Sequence, residues 1–343
     1  MQAALLIAPH TFVVQDHPHP EPRGNEMLIR VKHAGICGSD IHFYESGRIG
    51  EVVLREPFIM GHEFSGVIEI PSENSPLAAG TRVAVDPAVP CGRCSFCREG
   101  RFNICPDIRF TGFPPYPGAF AEYVAIPPEN VYPLPEEIPD AAGPLLETLS
   151  VALHGVDLVA GVQGKTCAVL GAGPVGYLTA LVLLQQGANL VLITEPVPER
   201  RAIVEANLGV PVYDPGQVEF IRKHLRDATD CGPELVFEAA GMPESFQMAF
   251  DLTRPGGRVA VFGIYPAGEH PIDFTNARRK ELDVLFVRRS LPGNYPRAIQ
   301  LVAAGEINLN PLMTHLFPLA KIAQAFELVA HKRESVMKAT LAV

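Results

Sequence analysis

The sequence predicts an α/β protein of two domains, a β-rich one followed by a doubly wound parallel sheet. Three observations carry this. A chain of 343 residues exceeds what one ordinary hydrophobic core holds. Up to about residue 150, Pro18, Pro20, Pro22, Gly35, Gly61 and Gly80 interrupt the chain too often for long helices. From Leu149 onward, apolar strand-length runs alternate with helix-length segments, the pattern of a parallel sheet with crossover helices.

In the β-rich part, Met1–Ala8 reads as an opening strand, and Met27–Lys32 and Phe64–Ile70 carry strand-like β-branched residues. Thr81–Asp86 alternates polar and apolar, as a half-buried strand does. Between these runs, Cys37, His62 and Glu63 offer a thiolate, an imidazole and a carboxylate, three ligand types that suit zinc.

Cys91, Cys94, Cys97 and Cys105 follow with the spacing C-x2-C-x2-C-x7-C. Four thiolates this close can close a tetrahedral zinc site with no open position, which pins a loop and does no chemistry. An iron–sulfur cluster is the competing reading, but ferredoxin-type runs space their cysteines differently. Seven cysteines in an intracellular chain point to metal before disulfides.

Thr166–Leu170 is a continuous apolar run of the kind buried on both sheet faces. It enters Gly171-Ala172-Gly173-Pro174-Val175-Gly176, a G-x-G-x-x-G turn, and a helix is expected over Val175–Gln186, stopped by Gly187. Asn189–Thr194 reads as the next strand and ends at Glu195, 19 positions beyond Gly176. A glycine turn between a strand and a helix, with an acid at the end of the second strand, is the context of dinucleotide binding. Gly171 permits the turn, Gly173 lets backbone approach a pyrophosphate, and Gly176 lets helix and strand pack. The phosphates then meet a helix N-terminus at Pro174 and Val175. Glu195 would accept hydrogen bonds from the adenosine ribose and repel a 2′-phosphate, which favours NAD over NADP.

Leu235–Glu238 and Gly257–Gly263 supply later strands, with a helix through Ser245–Leu252 between them. Helices are expected over Pro296–Ala304 and Leu319–Ala330, and a last strand over Met337–Val343 is expected to return to the first domain.

The hydrophobic share of 47% with 19% charged residues is that of a globular protein. A net charge of −10 and the absence of a basic run argue against nucleic acid or an anionic membrane surface as a partner. The opening residues lack the features of a signal peptide, and the longest apolar run, near Leu178–Leu184, falls short of a membrane span. A cytoplasmic protein is expected.

Taken together, Gly35–His42, Gly61–Gly66, the four-cysteine lobe and the dinucleotide turn resemble the zinc-dependent medium-chain dehydrogenases, the alcohol and polyol dehydrogenase family, over nearly the whole chain. The resemblance implies a GroES-like catalytic domain over residues 1–148, with a structural zinc lobe at about 88–108. It implies a Rossmann coenzyme domain over 149–286 and a return to the catalytic domain over 287–343. It also implies two zinc ions per chain, NAD(H), a small-molecule substrate and a homo-oligomer, a tetramer or else a dimer.

Alcohol dehydrogenase holds its catalytic zinc with two cysteines and a histidine. Where that family places the second cysteine, this chain has Glu147, which is similar to the sorbitol, xylitol and threonine dehydrogenase branches. In those branches the glutamate binds the metal or holds a metal-bound water. Gly47-Arg48-Ile49-Gly50-Glu51 looks like the polyol branch, and idonate-type dehydrogenases share a similar Gly-x-x-Gly.

By this resemblance Cys37 and His62 are direct ligands, Glu63 and Glu147 complete or flank the metal shell, and Asp40 orients the histidine. Ser39 and His42 match a proton relay. Arg200 is expected on the adenosine ribose, Lys338 on the cofactor phosphates, and Arg289 on substrate hydroxyls. Phe43 stands where sorbitol dehydrogenases have a substrate-contacting tyrosine, and Thr148 replaces a proline usual after the glutamate. The expected activity is oxidation of a polyol's secondary hydroxyl by NAD. A sugar-acid or secondary-alcohol dehydrogenase is the alternative within the family. A catalytically silent protein that binds zinc and NAD is the alternative outside it, opposed by the joint presence of Ser39, Asp40, His42 and Glu147.

Overall fold

Met27–Gly35 is the strand around which the first sheet is assembled. It pairs antiparallel with Glu63–Ile70, Tyr123–Ile126 and Lys338–Ala342. Arg82–Val85 and Val131–Pro133 extend the sheet on one side, and Met313–Pro318, parallel to Lys338–Ala342, extends it on the other. The computed structural model describes residues 1–266 and 268–343. They group into two units, Met1–Thr148 with Leu291–Val343, and Leu149–Ser290.

In the first unit the C-terminal strand lies beside Met27–Gly35, with Thr340 opposite Gly35, which is in turn opposite Glu63. Gln2–Ala8 pairs with Thr11–Asp16 and with Phe58–Ile59 in a separate small sheet. The core joins early and late segments: Ile29, Phe64 and Phe120 are buried with Phe326 and Leu341. Each such phenylalanine contributes about 1.5–3 kcal/mol relative to an exposed ring, so this core binds the late segment to the early strands.

In the second unit six strands run parallel in the order Val212–Tyr213, Asn189–Thr194, Thr166–Leu170, Leu235–Glu238, Arg258–Val261, Asp283–Phe286. Numbered along the unit this is 3-2-1-4-5-6, the order of the dinucleotide-binding Rossmann sheet. The order reverses between Thr166–Leu170 and Leu235–Glu238, and the glycine turn leaves the sheet beside that switch.

Several elements differ from expectation. Gly38–Ser46 is a helix that its sequence does not announce. Its first turn is fixed locally, because the Asp40 carboxylate accepts the Cys37 N–H at 2.9 Å. Leu145–Leu158 is a helix buried almost all round, with its polar residues Glu147, Thr148, Ser150 and His154 buried alongside its leucines. Leu319–Lys321 is a separate 3-10 turn ahead of the helix Ile322–Ala330. Such turns are frequent where helices begin. Among the described residues no helix is long and apolar enough to cross a membrane.

Candidate active site

The first unit brings Cys37, His62 and Glu63 together: one donor atom from each lies within 4.8 Å of the others. Cys37 caps the helix Gly38–Ser46, and His62 and Glu63 enter the strand Glu63–Ile70. The entry depends on Gly61, whose φ of +95° is left-handed and where a Cβ would come within 2.6 Å of the Phe120 ring.

Asp40 ties the first two donors together. Its Oδ2 accepts the Cys37 N–H, and its Oδ1 lies 3.5 Å from His62 Nδ1. Burial alone would lower the His62 pKa, but the charges of Asp40 and Cys37 outweigh it and hold it well above its ordinary value.

Glu63 is held at both oxygens. Oε1 accepts the Thr148 hydroxyl at 3.0 Å, and Oε2 pairs with the Lys338 ammonium. Burial would raise the Glu63 pKa, yet Lys338, with His62 beyond it, holds it below the usual range. Gly35 makes room for the pair: a Cβ there would lie 2.5 Å from Glu63 Oε2 and 3.0 Å from Lys338 Cε.

Glu147 is buried in the same region but stands outside the three-donor set. Its pKa is pushed up to about 7, chiefly by burial; Glu63 adds to the rise, and His62 and Lys338 oppose it. A sulfur, an imidazole and a carboxylate this close suit one zinc ion at bond lengths of about 2.0–2.3 Å, and Glu147 feels the charges of two of them, His62 and Glu63.

Ser39 and His42 are half-buried on the helix Gly38–Ser46, three positions apart and therefore on one face. Two further residues are buried against protein partners. Lys338, expected at the cofactor phosphates, is 3% exposed and its ammonium faces Glu63. Phe43, expected at the substrate, is 3% exposed and packs edge-to-face on Phe113 with ring centres 5.2 Å apart.

Cys91, Cys94, Cys97 and Cys105 form a second cluster within the same 4.8 Å limit. The Cys97 N–H donates to Cys94 Sγ at 3.4 Å and the Cys91 N–H to Cys105 Sγ at 3.4 Å. Backbone N–H groups at Arg93 and Cys94 lower the Cys91 thiol to about 6, which favours the thiolate a metal needs. Four sulfurs, with no fifth donor in the cluster among the described residues, fit a closed structural zinc site.

In the second unit the glycine turn has the form that its three roles require. Gly171 has φ +95° and its N–H donates to the Thr194 carbonyl at 2.9 Å. Gly173 caps the helix Pro174–Gln185 and has nothing within 4 Å of a built Cβ, which leaves space for a bound group. A side chain at Gly176 would collide with the Gly171 carbonyl. Glu195 accepts the N–H groups of Ala172 and Val197, each at 3.1 Å, which fixes its carboxylate beside the turn.

Arg200 is buried near Glu195; burial lowers its pKa and the Glu195 charge opposes that. The neighbouring Arg201 donates through one guanidinium nitrogen to the carbonyls of Glu195 and Pro196 at 2.7 Å and to Asp214 at 3.1 Å. Arg289 is half-buried in this unit with φ +54°.

Sequence reasoning assigned no role to Thr148 or Gly35, and it gave Lys338 another partner. Only Thr148 carried a signal, as a departure from the family pattern.

The alcohol dehydrogenase GroES-like domain family matches residues 23–136, and the zinc-binding dehydrogenase family matches residues 174–304. The chain is 31% identical over 339 residues to a sorbitol dehydrogenase of Bacillus subtilis, covering 98% of this chain and 96% of the relative. It is 34% identical over 326 residues to a probable D-xylulose reductase A of Aspergillus clavatus, covering 93% and 90%. Its fold matches the crystal structure of L-idonate 5-dehydrogenase from Escherichia coli with a TM-score of 0.91 and 26% identity, over 100% and 98% of the two chains.

Proposed function

The chain belongs to the zinc-binding dehydrogenase family of alcohol oxidoreductases, and from that premise we propose that it oxidises a secondary hydroxyl of a polyol to the ketone with NAD. The observation that carries this is the Cys37–His62–Glu63 donor set with Glu147 buried beside it. The alcohol loses a hydride to the nicotinamide and a proton to solvent, giving ketone, NADH and a proton. Bound zinc would supply a Lewis acid that lowers the hydroxyl pKa, and bound NAD would supply the hydride acceptor.

The protein's own residues hold, orient and move the proton. Cys37 and His62 hold the metal, and Glu63 and Glu147 supply the carboxylates that complete or flank its shell. Asp40 keeps the His62 ring in one orientation through its 3.5 Å contact with Nδ1. Ser39 and His42, on one helix face, carry the substrate proton towards solvent.

The N–H groups at the start of the helix Pro174–Gln185, reached through Gly171, Gly173 and Gly176, bind the pyrophosphate. Glu195 takes the ribose hydroxyls, and Arg200 lies beside the same sugar. The Glu195 carboxylate, held beside the glycine turn, would repel a 2′-phosphate, which supports NAD over NADP. We assign Arg289 to a substrate hydroxyl.

The likeness to L-idonate 5-dehydrogenase supports a second reading, a sugar acid as substrate. A cytoplasmic homo-oligomer, a tetramer or else a dimer, is the assembly we propose. A kinetic screen of polyols, sugar acids and simple secondary alcohols, with NAD and NADP and with and without a chelator, tests the assignment. Chelator-sensitive turnover of polyols with NAD supports it. Turnover confined to sugar acids selects the second reading. No turnover across the panel leaves a silent zinc- and NAD-binding protein.

A further inference from the structure

Glu63 is fully buried, and water cannot replace a lost partner there. Its ion pair with Lys338 holds one oxygen, but a single contact leaves the carboxylate free to turn about that oxygen. The second contact, from Thr148 Oγ1 to Oε1 at 3.0 Å, fixes the plane. Thr148 is well placed to do this: it is 3% exposed and lies in the first turn of the helix Leu145–Leu158. The same turn carries Glu147, so one backbone segment delivers both a carboxylate and the hydroxyl that holds the other carboxylate.

We propose that Thr148 is a positioning residue of the metal centre, its hydroxyl acting with the Lys338 ammonium to lock the Glu63 carboxylate beside Cys37 and His62. The proposal rests on the reading of Cys37, His62 and Glu63 as a zinc site. It gives a purpose to the one position after Glu147 where the chain leaves the family pattern: a proline there has no donor to offer Glu63. Threonine supplies one without adding charge to a region that already holds Asp40, Glu63 and Glu147.

The test compares Thr148→Val, which keeps the shape and loses the donor, with Thr148→Ser, which keeps the donor. Thr148→Ala serves as a second donor-free variant should valine disturb folding. The readouts are the zinc dissociation constant of the Cys37 site, by competition with a chelator, and the visible spectrum of the cobalt(II)-substituted protein. The four-cysteine site in the same molecule is the internal control. Residues that orient metal ligands are typically worth 10–100-fold in metal affinity. The donor-free variants are expected to bind zinc at least about tenfold more weakly and to change the cobalt spectrum. Serine is expected to restore both.

Val and Ala variants that match the wild type in affinity and spectrum overturn the proposal alone. So does a serine variant that behaves like valine, because the hydroxyl would then not be the operative group. A wild-type protein that takes up cobalt only at the four cysteines overturns the zinc-site reading, and this proposal with it.

Discussion

Lys338 and Glu63 form an ion pair inside the protein, their side chains 2% and 0% exposed, across the small space left by Gly35 on the strand that lies between theirs and pairs with both. Lys338 stands near the C-terminus and Glu63 in the metal-binding motif, so the last strand is tied to the candidate site by charge as well as by sheet pairing. Glu63 pushes the Lys338 pKa up against the lowering effect of burial, and Lys338 holds the Glu63 pKa down.

Replacing Lys338 with Met strands the Glu63 carboxylate in the interior. Removing one partner of a buried pair typically costs about 3–5 kcal/mol, so Lys338→Met is expected to lose about that much stability in urea denaturation. The double variant Lys338→Met/Glu63→Gln is expected to recover most of it, because no buried charge is then unpaired. A loss under about 1 kcal/mol would rank the pair with weak surface bridges. The sign with pH follows from the two shifts. The lowered Glu63 pKa contributes stability above the unfolded carboxylate value and loses it as pH falls through the folded value. The raised Lys338 pKa contributes below the unfolded lysine value and loses it as pH rises through the folded value.

Asp40→Asn removes the charge that orients His62. It is expected to lower zinc affinity and kcat/KM together by about 10–100-fold. In the zinc-free protein the His62 pKa is expected to fall, read by NMR titration of the ring. With Asp40 present, the raised His62 pKa contributes stability that is full below the unfolded histidine value and is lost as pH rises through the folded one. An unmoved His62 titration in the variant would count against Asp40 as the orienting group.

Glu147 has the opposite sign to Glu63. Burial raises it to about 7, so between the unfolded carboxylate value and about 7 the folded state holds the extra proton. Zinc-free protein should therefore lose stability as pH rises through that window, on the order of a few kcal/mol in all. Glu147→Gln is expected to flatten this dependence. Urea denaturation across the window, with metal removed, checks it, and an unchanged slope in the variant contradicts it.

Much of this was legible because it is local. Thr166–Leu170, the glycine turn and Glu195 lie within one β-α-β stretch, so spacing alone sufficed to read these elements and their order. Cys91 to Cys105 fold as one lobe for the same reason. What escaped is nonlocal. Lys338 reaches Glu63 only through strand pairing across Gly35, and nothing near either residue in sequence announces it. The contact of Phe43 with Phe113, from another part of the chain, is likewise invisible in the local sequence. The helix Leu145–Leu158 buries Glu147, Thr148, Ser150 and His154 along with its leucines, so polarity along the sequence does not mark which of its residues meet a partner, which is why Thr148 could be noticed but not given a role.

Coenzyme choice is expected to follow Glu195. Glu195→Ala removes the acceptor for the ribose hydroxyls and is expected to raise the KM for NAD about tenfold, the worth of about one strong hydrogen bond. It should also raise the relative activity with NADP, since the repelling charge is gone. Steady-state kinetics with both coenzymes reads this, and an unchanged NAD to NADP ratio contradicts the assignment.

The central claim is that Cys37 belongs to a zinc centre that performs the oxidation. Its most direct test measures zinc content and NADH formation on sorbitol and xylitol for the wild type and Cys37→Ala. The wild type is expected to hold two zinc ions per chain, one for each donor cluster, and to reduce NAD. Cys37→Ala is expected to keep the four-cysteine zinc, lose the other and lose turnover. One zinc or fewer in the wild type, with Cys37→Ala fully active, would contradict the account.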